Sequence, residues 1–238
     1  MKIGVKTFDN YNLLKHFKDK INFFEIMAVE TNEYDFLKQF KNVEVIHAEH
    51  QGFGINPGDK TKQELNKKAI DFAIKLANET NAKKIIIHPG SKRAEDSKEE
   101  SINFIKKFND KRIIIENMTY SEGLCFKPEE VKEFLEKTNK KFCLDINHAI
   151  ESAINLKTDY KEYIKEFINL KPVHYHIGGQ NIKLNKTHLS INDSDFNLKE
   201  IFSLIPIDAE ITLETTTNIW KIDEDIKIIN QWINELKN

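Results

Sequence analysis

The feature that most limits how this chain can fold is a short apolar run that recurs along its length and repeatedly stops on a residue able to bind a metal or move a proton. VEVIH ends on His47, KIIIH on His88, RIIIE on Glu116, FCLD on Asp145, VHYH on His176 and ITLE on Glu214. Buried strands commonly end in turn chemistry such as Gly, Asn or Ser, so these endings point to a site built at strand termini. The stretch Arg112–Glu130 is central to the series: a β-branched run, Ile113–Ile115, stops on Glu116, crosses a polar loop and resumes at Pro128 with an amphipathic pattern.

Read in order, the strand-like runs are Ile3–Val5, Phe23–Met27, Val43–His47, Lys84–His88, Ile113–Glu116, Phe142–Asp145, Val173–His176 and Ile211–Glu214. Helical spacing follows each of them: at Leu13, Leu14 and Phe17; at Tyr34, Phe36, Leu37 and Phe40; over Thr61–Asn81; around Ile102, Ile105 and Phe108; from Pro128, a residue suited to a first helical turn; through Ile154; and over Tyr160–Leu170. After the seventh run a long loop leads to Asp195 or Asn197, either able to cap a helix through Ile201 and Leu204, and Asp223–Leu236 closes the series as a helix. The segment AEHQGFGINPGD after His47 reads instead as a shaped loop, marked by its glycines and Pro57. Strands alternating with helices, without a linker, predict a parallel sheet closed into a single-domain (β/α)8 TIM barrel over residues 1–238. An open doubly wound sheet is the rival. Closure is favoured because it gathers all the strand ends into one ring at the C-terminal face, whereas an open sheet spreads them along an edge.

Composition narrows the partners. The chain has 36 Lys and Arg against 38 Asp and Glu, a net charge of −2, and its only arginines are Arg93 and Arg112. That offers no bulk attraction to a polyanion and no arginine-rich nucleic-acid stripe. Cys125 and Cys143 suit a reducing compartment better than a disulfide framework. The N-terminus lacks the apolar core of a signal peptide and no segment approaches eighteen uninterrupted apolar residues, so a cytoplasmic protein without a membrane partner is expected.

Histidine nitrogens and carboxylate oxygens converging at strand ends are ligands for zinc or, alternatively, manganese. His47, His88, Glu116, Asp145, His176 and Glu214, with His148 and His188 in the following loops, suffice for two divalent metals if one carboxylate bridges. Two metals a few ångströms apart can clamp a phosphodiester, one activating water and the other neutralising the leaving oxygen. A lone strand-end histidine is usually structural, but a buried carboxylate needs a partner, and a whole ring of such residues is hard to explain structurally. His16, in an amphipathic helix, and His50, in a loop, read as structural. His174 faces the barrel interior one layer below His176, and Glu25 is strand-borne with nothing beside it to complete a site.

The motifs IIIHPGSK (Ile85–Lys92), IIIENMTYSEGLCFKPEE (Ile113–Glu130), CLDINHA (Cys143–Ala149), THLS (Thr187–Ser190) and TLETT (Thr212–Thr216) together resemble the endonuclease IV family of apurinic/apyrimidinic-site endonucleases, within the xylose-isomerase-like TIM barrels. The resemblance implies one metal on His47, His88 and Glu116, and a second on Glu116, Asp145, His176 and Glu214. His148 and His188 would contribute to a third. Where the family carries a third-site aspartate this chain has Lys186, which puts the third metal in doubt and could instead contact a phosphate. The family's tyrosine-leucine wedge, which enters the duplex, is replaced by Glu49, His50 and Gln51; Phe53, in the 48–59 loop, is a substitute wedge or merely local packing.

The first expectation is therefore a metal-dependent phosphodiester hydrolase acting on abasic-site DNA or a related phosphorylated substrate, with Glu116 and Glu214 fixing charge and geometry and Lys186, His148 and His188 on the substrate side. The alternative is a single-metal sugar or sugar-phosphate isomerase or epimerase, with Glu116 and Glu214 as the acid–base pair. His47 and His88 favour the hydrolase, because a one-metal proton-transfer enzyme does not need them. A third reading is a non-catalytic barrel that binds a metal or a partner through a remnant ring.

Overall fold

A computed structural model describes residues 1–91, 97–121 and 123–237; Lys92 of the His-Pro-Gly-Ser motif, Arg93 and Glu122 lie outside them. The strands are β1 (Lys2–Thr7), β2 (Phe23–Ala28), β3 (Val43–Ala48), β4 (Lys84–Ile87), β5 (Ile113–Glu116), β6 (Lys141–Asp145), β7 (His174–Ile177), β8 (Gly179–Asn181), β9 (Lys186–Leu189) and β10 (Glu210–Leu213). All but β8 and β9 form a closed barrel in the order β1-β10-β7-β6-β5-β4-β3-β2. Every neighbouring pair is parallel, including the closing pair β1 and β10. The helices are α1 (Tyr11–Phe17), α2 (Gln63–Thr80), α3 (Ser97–Ile105), α4 (Pro128–Thr138), α5 (Ile146–Leu156), α6 (Tyr160–Ile168), α7 (Leu198–Phe202) and α8 (Ile219–Lys237). The expected closed (β/α)8 barrel is what forms.

The period of two along a strand divides the apolar residues between two cores. Outward-facing Ile85, Ile87, Ile113, Ile115, Leu144 and their neighbours pack beneath the helices, for example against Ile70, Ala73 and Leu76 of α2. Inward-facing Phe23, Val45, Ile86, Ile114 and Cys143 form a smaller cluster that plugs the barrel. Gly4 belongs to the same interior layer, since a Cβ there would fall 2.2 Å from the Phe23 ring. Adding two to each of these positions gives the layer above.

Local chemistry sets the ends of the helices. α2 and α4 stop at Asn81 (φ 57°) and Asn139 (φ 54°), asparagine being one of the few residues that tolerates the left-handed region. The helix expected around Tyr34–Phe40 is only a 3₁₀ turn, Asp35–Gln39, because Tyr34 is committed elsewhere: its hydroxyl donates to Met27 O and accepts from Val29 N. The long loop after β7 contains the antiparallel β8–β9 hairpin. Asp195 caps no helix there; it accepts from the backbone N–H groups of Ile182 and Lys183 at 2.8 and 3.0 Å, and Asn197 precedes α7 without a side-chain cap. Among the described residues no helix is long and apolar enough to cross a membrane.

Candidate metal centre

Two residues beyond the layer that plugs the barrel, each barrel strand presents a polar residue, Lys6, Glu25, His47, His88, Glu116, Asp145, His176 and Glu214, all but Glu25 at or close to the strand's C-terminal end. The six anticipated strand-end residues are brought together. Lys6 and Glu25 complete the ring, and Glu25 overturns the expectation that nothing beside it completes a site: its Oε2 accepts from His176 Nε2 at 3.0 Å and from Thr212 Oγ1 at 2.8 Å.

Glu116 is the hub. Its Oε2 lies 3.1 Å from His47 Nε2, 3.3 Å from His88 Nε2 and 3.5 Å from His176 Nδ1, while Oε1 lies 3.3 Å from His148 Nδ1. The atoms fall into overlapping groups able to hold a cation: His47, His88 and Glu116 on one side, and Asp145, His176 and Glu214 on the other. The loops fix these side chains. Asn117, next to the hub, exchanges two hydrogen bonds with the backbone of Asp145, and Asn147 does the same with Gly178 beyond β7. Asp145 spends Oδ1 on capping α5, accepting from His148 N at 2.9 Å, which leaves Oδ2 facing the ring. Gly90, in the turn after His88, is held at φ 101° against the Asn56 side chain, a conformation and closeness that suit glycine alone.

The outer contacts assign which imidazole nitrogen is left for a metal. His47 Nδ1–H donates to Ala48 O and His88 Nδ1–H to Gln51 Oε1, which frees Nε2 of each toward Glu116. His176 is reversed: Nε2–H donates to Glu25 and Nδ1 faces the carboxylates.

The donor set fits a cation. Asp145 Oδ2, His176 Nδ1 and Glu214 Oε2 are buried without a hydrogen-bond partner, although they lie within 4.8 Å of one another. Orphaned polar atoms are costly in a folded interior, and a divalent ion would satisfy all three together. Charge argues the same way. Among the described residues, Glu25, Glu116, Asp145 and Glu214 face the Lys6 ammonium, whose Nζ lies 2.9 Å from Glu214 Oε1 and 3.6 Å from Glu25 Oε1, and the His148 ring. Burial alone would lower the Lys6 pKa, yet Glu214 and Glu25 raise it, so the ammonium stays charged. Burial would also raise the carboxyl of Glu116, but His88 and His176 hold it well below its usual range. His88, pushed down to about 4 mainly by burial, is neutral at pH 7, the form that ligates. His148 goes the other way: burial would lower it, but Asp145 and Glu116 lift it to about 10.

The other anticipated residues are placed as follows. His148 and His188 come within 6.0 Å, centroid to centroid, but among the described residues no third-ligand cluster includes His188. Lys186 is exposed on β9, two residues before His188. His50 accepts from Gly52 N at 3.2 Å, a structural bond, and stacks on His88 at 4.9 Å. The Phe53 ring packs against His50 at 5.2 Å while remaining 38% exposed. His16 pairs with Asp223 and Lys20, as a structural histidine would. His174 lies fully buried, donating to Thr212 Oγ1 at 2.8 Å.

Similarity to known proteins runs in two directions. A probable endonuclease 4 of Campylobacter curvus (strain 525.92) is 30% identical over 136 residues, 50% of this chain and 48% of that protein, so the chain spans about half the length of the curated relative it matches. Endonuclease IV from Thermus thermophilus superposes with a TM-score of 0.76 at 17% identity, covering 99% of this chain and 100% of the other. A D-tagatose 3-epimerase-like protein superposes with the same TM-score, 0.76, at 21% identity, covering 100% of this chain and 98% of the other. Identities this low carry the fold and not the activity. A family model described as "Xylose isomerase-like TIM barrel" matches residues 23–234, nearly the whole barrel, and the chain therefore belongs to the xylose isomerase-like TIM barrel family.

Proposed function

We propose that the chain is a metal-dependent phosphodiester hydrolase of the endonuclease IV type, acting at abasic sites in DNA or on a related phosphorylated substrate. The observation that carries this reading is a separate ligand group: His47 and His88 meet Glu116 Oε2 at 3.1 and 3.3 Å, in a cluster distinct from that of Asp145, His176 and Glu214. One proton-transfer metal leaves that pair without a purpose, whereas two metals sharing Glu116 use every residue of both groups.

His47, His88 and Glu116 would hold one divalent ion, and Glu116, Asp145, His176 and Glu214 the other. Zinc suits the mixed nitrogen and oxygen donors, with manganese as the alternative. Bound there, the ions would supply a Lewis acid for the phosphoryl group and lower the pKa of water. The chain's own contribution is placement. Lys6 engages Glu214 Oε1 at 2.9 Å, leaving Oε2 beside His176 Nδ1 at 3.0 Å, and Glu116 lies between the two groups. Lys186 and His188, on the exposed hairpin beside the ring, would meet a phosphate.

The second reading is a single-metal sugar isomerase or epimerase with Glu116 and Glu214 as the acid–base pair. It is favoured by the near-neutral charge of the chain, which gives little attraction to DNA. The test is incision of a duplex carrying one tetrahydrofuran abasic-site analogue by zinc-loaded protein, beside an undamaged duplex and a ketohexose. Incision at the analogue, abolished in His88→Ala, supports the hydrolase. Epimerisation of the ketose without incision, insensitive to His88→Ala, replaces it with the second reading.

A further inference from the structure

The barrel interior beneath the ring is polar where apolar packing would be cheaper. Glu25, His174 and Thr212 are all fully buried, and a buried carboxylate is tolerated only with partners. Their hydrogen bonds form a directed chain. His174 Nε2–H donates to Thr212 Oγ1 at 2.8 Å, Thr212 Oγ1–H donates to Glu25 Oε2 at 2.8 Å, and His176 Nε2–H donates to the same Oε2 at 3.0 Å. Lys84, from the opposite end of the barrel, approaches His174 Nδ1 at 3.4 Å and so continues the chain in the same sense. Every proton points toward Glu25, whose other oxygen faces the Lys6 ammonium at 3.6 Å.

We infer that Glu25 is the positioning residue for His176, fixing the imidazole with its proton on Nε2 and its Nδ1 lone pair turned to the cation group of Asp145 and Glu214, with Thr212 holding Glu25 in place. The inference rests on the metal centre proposed above. Three observations assign this role rather than a bland structural one. First, Glu25 reaches His176 from across the barrel, 151 residues away in sequence, so local chain geometry does not bring them together. Second, His47 and His88 satisfy their outer nitrogens with neutral oxygens, Ala48 O and Gln51 Oε1, whereas His176 alone of the three has a carboxylate. A charged acceptor makes the imidazole a stronger ligand and holds the ring harder. Third, Glu25, His174 and His176 could be taken for a further cation group, but Oε2 already accepts two hydrogen bonds and the Nε2 of His176 is a donor. A metal there would have to displace the proton that sets the tautomer. Glu25 therefore acts through His176 and touches neither substrate nor metal.

The experiment is zinc affinity by competition with a chromophoric chelator, with elemental analysis, on wild-type protein and the Glu25→Gln, Glu25→Ala and Thr212→Val variants. A nitrogen-15 NMR spectrum of the histidine side chains reports the tautomer. Glu25→Ala is expected to weaken one of two zinc sites by about 10- to 100-fold, the range for an outer-shell partner, and to leave the other unchanged. Glu25→Gln, which keeps an acceptor but not the charge, should fall between, and the His176 Nε2–H signal should survive in it but not in the alanine variant. Thr212→Val is isosteric, leaves His176 untouched and guards against misfolding of the Glu25 variants; it should produce a smaller loss at the same site. Unchanged affinity in both Glu25 variants with two zincs bound overturns the role of Glu25 while leaving the centre standing. A wild-type protein that binds no zinc overturns both, and a third zinc lost with Glu25 makes it a ligand instead.

Discussion

Replacing His88 by alanine separates a two-metal from a one-metal centre. The His88 ring is 8% exposed, its Nε2 lies 3.3 Å from Glu116 Oε2, and it packs edge-on to His47 and stacks on His50. The two-metal reading requires elemental analysis to fall from two ions per chain to one. The energetic signature follows from linkage: at free metal of about 100 times Kd, each occupied site stabilises the folded state by about 2.7 kcal/mol. For a chain of this length 1 kcal/mol moves Tm by about 2–4 °C, so one lost site removes about 5–11 °C of metal-dependent stabilisation. Calorimetry with and without EDTA measures that difference for each protein, which cancels the cavity that the substitution leaves in the metal-free state. The chelator-induced drop in wild-type protein should be about twice that of the variant. A single metal in wild-type protein, retained by His88→Ala with the same chelator shift, refutes the reasoning.

Other outcomes follow from the same structure. Lys186→Asp should raise zinc content from two to three per chain, since it puts a carboxylate two residues before His188 on β9, and the His188 ring lies 6.0 Å from that of His148; unchanged elemental stoichiometry removes the idea. Asp225 is fully buried and accepts from Ser190 Oγ at 2.6 Å and Ile191 N at 2.9 Å, tying the end of β9 to α8. Asp225→Ala leaves two donors unpaired and should cost about 3 kcal/mol in urea denaturation, at roughly 1–3 kcal/mol per donor; a loss under about 0.5 kcal/mol counts against the clamp. At the other end of the barrel, burial would raise the Glu210 carboxyl, but Lys84 and Lys2 bring it from 4.5 down to about 2. A depressed carboxylate stabilises the fold above its unfolded value and loses that contribution as pH falls from about 4.5 to about 2. Acid melting curves of wild type should therefore fall more steeply across that window than those of Glu210→Gln, and parallel curves would exclude the pair as a contributor.

Much of the ring was legible because strand termini carry their own signal. His47, His88, Glu116, Asp145, His176 and Glu214 each follow a β-branched or aromatic run long enough to stand out. Lys6 and Glu25 were hidden for different reasons. Lys6 is one lysine in a lysine-rich chain and follows a short run containing Gly4, while Glu25 sits inside its run, FFEIMA, rather than after it. The signal that finds both is the period of two, counted from the residue that plugs the barrel in each strand: Gly4 to Lys6, Phe23 to Glu25. The β8–β9 hairpin carries no strand signal because its strands are polar and do not alternate, and the turn at Asp35–Gln39 has an apolar spacing that imitates a longer helix.

Barrel closure carries a consequence for the order in which the molecule comes into being. The ion pair between Lys6 and Glu214 joins residues 208 apart, and the Glu25–His176 bond spans 151. The cation group of Asp145, His176 and Glu214 is drawn from β6, from β7 and from the loop beyond β10, the last strand of the barrel to be synthesised. A zinc finger gathers its ligands locally, and the ion organises the chain. Here the candidate ligand residues are spread from β3 to the loop beyond β10, and contacts this distant in sequence carry a high loop-closure cost. The barrel must shut before Glu214 meets Asp145 and His176, and a chain released before β10 lacks the carboxylate that completes their group.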